Sequence, residues 1–165
     1  MAVKIGLVGT GTVGGGCIDI IQKHRDDFKR HYGVDIELVR VCSLDRGEAE
    51  AHGVGDLFTN DFNEIINDPD IDLVIELIGG TGVAHTIVCD ALRAGKYVVT
   101  ANKALMATAG EEISAATGGK GIEGAAADDT DASAICCFIP ADGAICQIKY
   151  RLVPNTDTSA FFIFP

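Results

Sequence analysis

Three glycines, Gly9, Gly11 and Gly14, stand in the pattern G-x-G-x-x-G directly after the apolar run VKIGLV and at the opening of a long amphipathic segment. That context gives the spacing its meaning. The first glycine permits a tight turn, the second lets backbone approach a pyrophosphate, and the third lets helix and strand pack closely. The positive end of the following helix favours the anion. The chemistry implied is dinucleotide binding, with a purely structural glycine turn as the alternative.

A second group of such residues lies further along the chain. Gly79 and Gly80 end the run IDLVIELIGG, and a loop there without side chains can lie against a nucleotide ribose. Glu76 interrupts the same run, and a carboxylate inside an apolar strand has to be hydrogen-bonded. It is read either as an acceptor for backbone N–H groups of neighbouring loops or as a direct ligand. Lys103, in VVTANKALMA, falls where Leu105, Ala109 and Ile113 predict the first turn of a helix. A cation is disfavoured at that end of a helix. Lys103 is therefore either a surface lysine or a cation aimed at a cofactor or substrate oxygen, with Asn102 capping the helix beside it. The acidic residue that would hold a ribose 2′-hydroxyl after the second strand comes a little late. Asp45 would favour NAD, the adjacent Arg46 would tolerate NADP, and both can equally be solvated turn residues.

The elements that must position these residues alternate in type. Residues 3–8 read as a strand, followed by a helix with Val13, Cys17, Ile20, Ile21, His24 and Phe28 on one stripe and Gly33 at its close. A second strand covers 35–43, and RGEAEAHGVGD reads as a polar connection. Asp61 and Glu64 resemble a capping box for a short helix through Ile66. A strand over 71–80, a helix from about Ala84 to Ala94 stopped by Gly95, the strand KYVVT and a helix from Lys103 to about Ala116 complete the series. Strands apolar on both faces, alternating with helices, imply an α/β fold with a doubly wound, Rossmann-type parallel sheet. Both glycine loops and Lys103 then converge on one edge of that sheet.

Residues 1–122 are thus read as a dinucleotide-binding domain, and residues 123–165 as an acidic linker and a short C-terminal antiparallel β tail. The tail begins with EGAAADDTDA and continues as SAICCFI, AICQIKYRLV and AFFIF, separated by the turn signals PADG and PNTDTS. Its last strand either packs on its own sheet edge or pairs with a second subunit as a homo-oligomer. The 165 residues, 47% of them hydrophobic, suffice for one sizeable core. A net charge of −11 argues against nucleic-acid or anionic-membrane partners. The N-terminus does not read as a signal peptide, so the cytoplasm is the expected location. Six cysteines show no C-x-x-C and no histidine at metal-ligand spacing, so they are read as buried thiols and no metal is expected. A disulfide or metal role for the adjacent Cys136 and Cys137 is the lesser alternative.

The segments VKIGLVGTGTVGGG, DPDIDLVIELIGG and AGKYVVTANKALMA resemble the signature segments of the homoserine dehydrogenase family, from about Val3 to Ile122. The resemblance implies NAD(P)H-dependent interconversion of L-aspartate 4-semialdehyde and L-homoserine, in threonine and methionine biosynthesis. It implies that Thr10, Gly11, Thr12 and Val13 lie against the cofactor, with Gly79 and Gly80 near it and Thr100 and Asn102 bordering the nicotinamide. Lys103 matches the lysine at the junction of cofactor and substrate, where it stabilises or protonates the developing alkoxide. The family continues into an F-E-A-S-V-x-G-G-I-P segment and a substrate and dimerisation domain, where this chain has GIEGAAADDTDASAICC. The expectation is an oxidoreductase of this type, represented by its cofactor-binding part. The alternatives are an NAD(P)-binding or regulatory module without turnover and a truncated, self-associating remnant.

Overall fold

Runs of Ile, Val and Leu bounded by glycine, proline and aspartate divide the chain into short strands and longer helices. The computed structural model describes residues 2–117 and two further short strands, 122–124 and 136–138. In chain order these are β1 (Ala2–Val8), α1 (Thr12–Tyr32), β2 (Asp35–Cys42), α2 (Arg46–Ala51), a single 3-10 turn (Gly55–Leu57), β3 (Phe58–Thr59) and α3 (Asn63–Ile66). There follow β4 (Leu73–Glu76), α4 (Gly82–Arg93), β5 (Tyr97–Thr100), α5 (Lys103–Ala116), β6 (Ile122–Gly124) and β7 (Cys136–Phe138).

The strands form one sheet in the order β3-β2-β1-β4-β5-β7-β6. Its first five strands are parallel. β7 runs antiparallel to both β5 and β6. The chain moves outward from β1 to β3, then returns to place β4 on the other side of β1. The strand order therefore reverses between β1 and β4, where ligands bind in open sheets of this kind.

Alternate strand residues face opposite ways, so the core has two halves. Leu73, Ile75 and Val99 pack with Ile18, Ile21 and Phe28 of α1 and Ala49 of α2. Val74 and Val98 pack with Ala84, Ile87 and Val88 of α4 and with Leu105 and Ile113 of α5. Both faces of the parallel strands are covered, as their continuous hydrophobicity requires.

Several local expectations are corrected. The polar stretch after β2 is not a plain connection. Asp45 accepts a hydrogen bond from the Gly47 N–H at 2.8 Å and starts α2, and the chain then adds β3 to the sheet. The buried face of α1 is Gly14, Ile18, Ile21 and Phe28, and Val13 is 63% exposed. Val13 belongs to the first turn, which lies at the sheet edge, while the helix body lies across the sheet. Asp61 accepts from the Asn63 N–H at 2.9 Å, but the residue capping α3 is Phe62, without a side-chain bond, and Glu64 does not complete a capping box. Its carboxylate is taken by Arg40 at 3.0 Å. β4 is shorter than the apolar run that contains it, ending at Glu76, and residues 77–81 form the loop to α4.

The predicted tail meets the described residues only in β6 and in β7, which lies within SAICCFI. The runs AICQIKYRLV and AFFIF, and the thiols of Cys136, Cys137 and Cys146, lie outside the described residues. Cys17, Cys42 and Cys89 are free thiols, the last two buried. Among the described residues no group of histidine, cysteine, aspartate and glutamate could hold a metal ion, and no helix is long and apolar enough to cross a membrane.

Candidate functional site

The pairing register sets Cys42, Val8, Glu76 and Thr100 side by side as the last residues of β2, β1, β4 and β5. The loops that matter leave the sheet from this row. The Gly9 N–H donates to the Cys42 carbonyl at 2.9 Å, and the Leu77 N–H donates to the Val8 carbonyl at 2.8 Å. The loops after β1 and β4 are thus each tied to a neighbouring strand at their first residue.

The glycines of the first loop divide the work. Gly9 has φ +103°, and a Cβ there would come within 2.8 Å of the Leu77 backbone. A Cβ on Gly14 would stand 1.8 Å from the Gly9 carbonyl oxygen, so helix and loop can meet only at a glycine. Gly11 differs from both. No protein atom would lie within 4 Å of a Cβ on Gly11, which leaves its backbone open to a ligand. Gly11 caps α1 without a side-chain hydrogen bond, and the first turn of α1 carries no acidic residue. Thr12 and Val13 are exposed beside it. The positive end of a 21-residue helix is therefore free to meet an anion, and the residues fit a pyrophosphate.

On the other side of the strand-order reversal, a buried polar network joins the next two loops. Glu76 is 0% exposed, and its Oε1 accepts the Ile78 N–H at 2.8 Å. Its Oε2 accepts the Thr100 hydroxyl at 2.6 Å. The Thr100 oxygen in turn accepts the Asn102 N–H at 3.0 Å. Asn102 Oδ1 accepts the Leu105 N–H at 3.0 Å and caps α5, while its Nδ2 donates to the Gly80 carbonyl. One carboxylate thereby fixes the start of the glycine loop and the start of the Lys103 helix together. The loop end consists of Gly79 and Gly80 at φ +71° and +70°, both exposed.

Lys103 is the first residue of α5, exposed, and has no partner among the described residues. Gly9, Gly11, Gly14, Thr12, Val13, Gly79, Gly80, Asn102 and Lys103 all lie on the edge formed by the loops after β1, β4 and β5. Two of the expected contact residues turn inward. Thr100 is buried in the Glu76 network, and Thr10 is 2% exposed, with its hydroxyl 2.6 Å from both Ser43 Oγ and Glu48 Oε2. Asp45 is exposed after β2, and one of its oxygens caps α2.

Ser43 and Glu48, which the sequence reading did not single out, join Thr10 at this edge. A signal was present. Asp45 followed by Glu48 is the spacing of a helix start, and a helix there brings position 48 back toward the strand tips.

A family profile described as "Homoserine dehydrogenase, NAD binding domain" matches residues 9–123. The chain belongs to the homoserine dehydrogenase family. It is 41% identical over 113 residues to a homoserine dehydrogenase of Bacillus subtilis, a match that covers 68% of this chain and 26% of the relative. The homoserine dehydrogenase of Pseudomonas aeruginosa is 39% identical over 120 residues, covering 73% and 27%. Among solved structures, a homoserine dehydrogenase from Thiobacillus denitrificans superposes with a TM-score of 0.68 at 40% identity, over 73% of this chain and 28% of the other. The chain spans about a quarter of the length of the curated relatives it matches. The matched part is the NAD-binding domain of homoserine dehydrogenases, so the open edge is that of an NAD- or NADP-binding fold.

Proposed function

We propose that this chain is the cofactor-binding part of a homoserine dehydrogenase and serves the interconversion of L-aspartate 4-semialdehyde and L-homoserine. A bound nicotinamide dinucleotide supplies or accepts the hydride. The open face of Gly11 above an uncapped helix end carries the reading. Gly9 and Gly14 shape that loop, and the exposed N–H groups of the first turn of α1 hold the pyrophosphate. Thr12, Val13, Gly79 and Gly80 line the path from the pyrophosphate toward the nicotinamide. Thr100 acts through Asn102 and Glu76, setting the height of the loop and of α5.

Lys103 is assigned to the junction of nicotinamide and substrate, facing both the cofactor and the reacting oxygen. Its ammonium group has no competing carboxylate among the described residues, and the end of α5 adds partial positive charge. A preorganised cation there favours the alkoxide that forms at the semialdehyde oxygen. The place of this reaction in threonine and methionine biosynthesis, and a cytoplasmic setting, follow from the family resemblance.

The test is a titration of the purified chain with NADH and with NADPH, followed by nicotinamide fluorescence, for wild type and Lys103→Ala. Saturable binding that weakens in the variant is expected. Binding of neither nucleotide at millimolar concentration contradicts the reading. Stoichiometric binding without semialdehyde-dependent oxidation of the nucleotide would assign this chain the binding step alone.

A further inference from the structure

The residues beyond β2 bear on which of the two dinucleotides the edge accepts. In this fold the adenosine ribose lies at the tip of the second strand, where its 2′ substituent meets the side chains that follow. Here those residues are Ser43, Leu44, Asp45, Arg46, Gly47 and Glu48.

Arg46 is the cation that could take a 2′-phosphate, and it is engaged elsewhere. Its Nε donates to Glu50 Oε1 at 2.8 Å and its Nη2 to the Gly55 carbonyl at 3.3 Å. Its guanidinium carbon also sits 5.6 Å from the centroid of the Phe58 ring. Any one of these exposed contacts is weak. Three together hold the side chain over the 3-10 turn and β3. The nearby His52 is paired with Asp19 at 2.7 Å.

Glu48 does the opposite and comes forward to the strand tips. Its Oε2 lies 2.6 Å from the Thr10 hydroxyl, which follows β1, and 3.3 Å from the Ser43 hydroxyl, which follows β2. Its Oε1 has no partner among the described residues. A carboxylate held between the two strand tips, with one oxygen free, is an acceptor for a ribose hydroxyl. Asp45 adds a second negative charge at the same tip but already uses one oxygen to cap α2.

We propose that Glu48, and not Asp45, is the residue that selects a dinucleotide with a free 2′-hydroxyl, so that the chain prefers NAD(H) to NADP(H). This rests on the reading of the edge as a dinucleotide site. A hydroxyl can donate a charge-assisted hydrogen bond to Glu48. A 2′-phosphate brings up to two negative charges against Glu48 and Asp45, with no free cation beside them among the described residues, which is a like-charge penalty.

The experiment is a pair of fluorescence titrations, NADH and NADPH, on wild type, Glu48→Gln and Glu50→Ala. Wild type is expected to bind NADH at least about tenfold more tightly than NADPH. Glu48→Gln keeps the shape but removes the charge, so the two affinities should draw together. Glu50→Ala releases Arg46 without touching Glu48, and should raise NADPH affinity while leaving that for NADH unchanged. Equal or tighter NADPH binding in wild type overturns the preference, and full discrimination retained in Glu48→Gln overturns the choice of Glu48. Binding of neither nucleotide overturns the dinucleotide reading, and this inference with it.

Discussion

A methyl group at position 14 would stand 1.8 Å from the Gly9 carbonyl oxygen, a contact that only a backbone shift can relieve. Gly14→Ala should therefore cost at least about 3 kcal/mol, at the upper end of what overpacking causes, because the atom it meets is main chain and not a flexible side chain. Chemical denaturation of the variant checks this, and an unchanged midpoint would contradict the close approach. The steric demands at Gly9 and Gly14 were legible in the sequence because each depends on the absence of a side chain. Glu76 was legible only as a problem. A carboxylate in LVIELI announces that it needs partners, but sequence spacing cannot show that one is the Ile78 N–H two residues on and the other the Thr100 hydroxyl one strand away. That pairing exists because parallel register sets Glu76 opposite Thr100, and register is a property of the assembled sheet. The partners of the Thr10 hydroxyl were hidden for the same reason, since Ser43 and Glu48 are brought to it by β2 and α2.

At the scale of elements, α5 depends on its first residue outside the helix. Asn102 caps it through Leu105 and also holds the Gly80 carbonyl. Asn102→Ala should cost about 0.5–2 kcal/mol through the cap. It should also weaken nicotinamide dinucleotide binding, because the loop and α5 then move independently. Thermal denaturation and the fluorescence titration read the two effects separately. The joint between α1 and β2 responds to acid. Hydrogen bonds from Arg25 and then Lys29 hold the Asp35 carboxyl below its ordinary 3.8. Its folded-state value is the depressed one. The stabilisation is therefore complete above the ordinary value and is lost as pH falls through the lower, folded one. Asp35→Asn should be less stable than wild type at pH 7, with the gap narrowing as the pH is lowered below 3.8, as followed by urea denaturation at each pH. A constant gap would show that the charge is not the source. Helices α1, α4 and α5 were legible from apolar spacing and glycine stops. The six-residue α2 was not, since it buries only Ala49 and gives almost no periodic signal.

Across the whole molecule, the parallel order, the two covered faces and the convergence of loops on one edge follow from alternation of apolar strands with amphipathic helices. What alternation could not show is how charge is distributed along that edge. The first turns of α1, α4 and α5 carry no acidic residue, whereas α2 brings Glu48 to the tips of β1 and β2. The edge is thus electropositive by its helix ends where phosphate is expected and acidic where ribose is expected. The central claim is that the space above Gly11 is kept for a dinucleotide and is not merely an unused surface. Gly11→Asp tests it most directly, because aspartate is a better helix cap than glycine while its carboxylate would fill and charge the space reserved for pyrophosphate. The measurement is the NADH affinity of this variant beside its melting temperature. The account predicts a melting temperature equal to or above that of wild type with NADH binding weakened at least about tenfold. NADH bound as tightly as by wild type would contradict it.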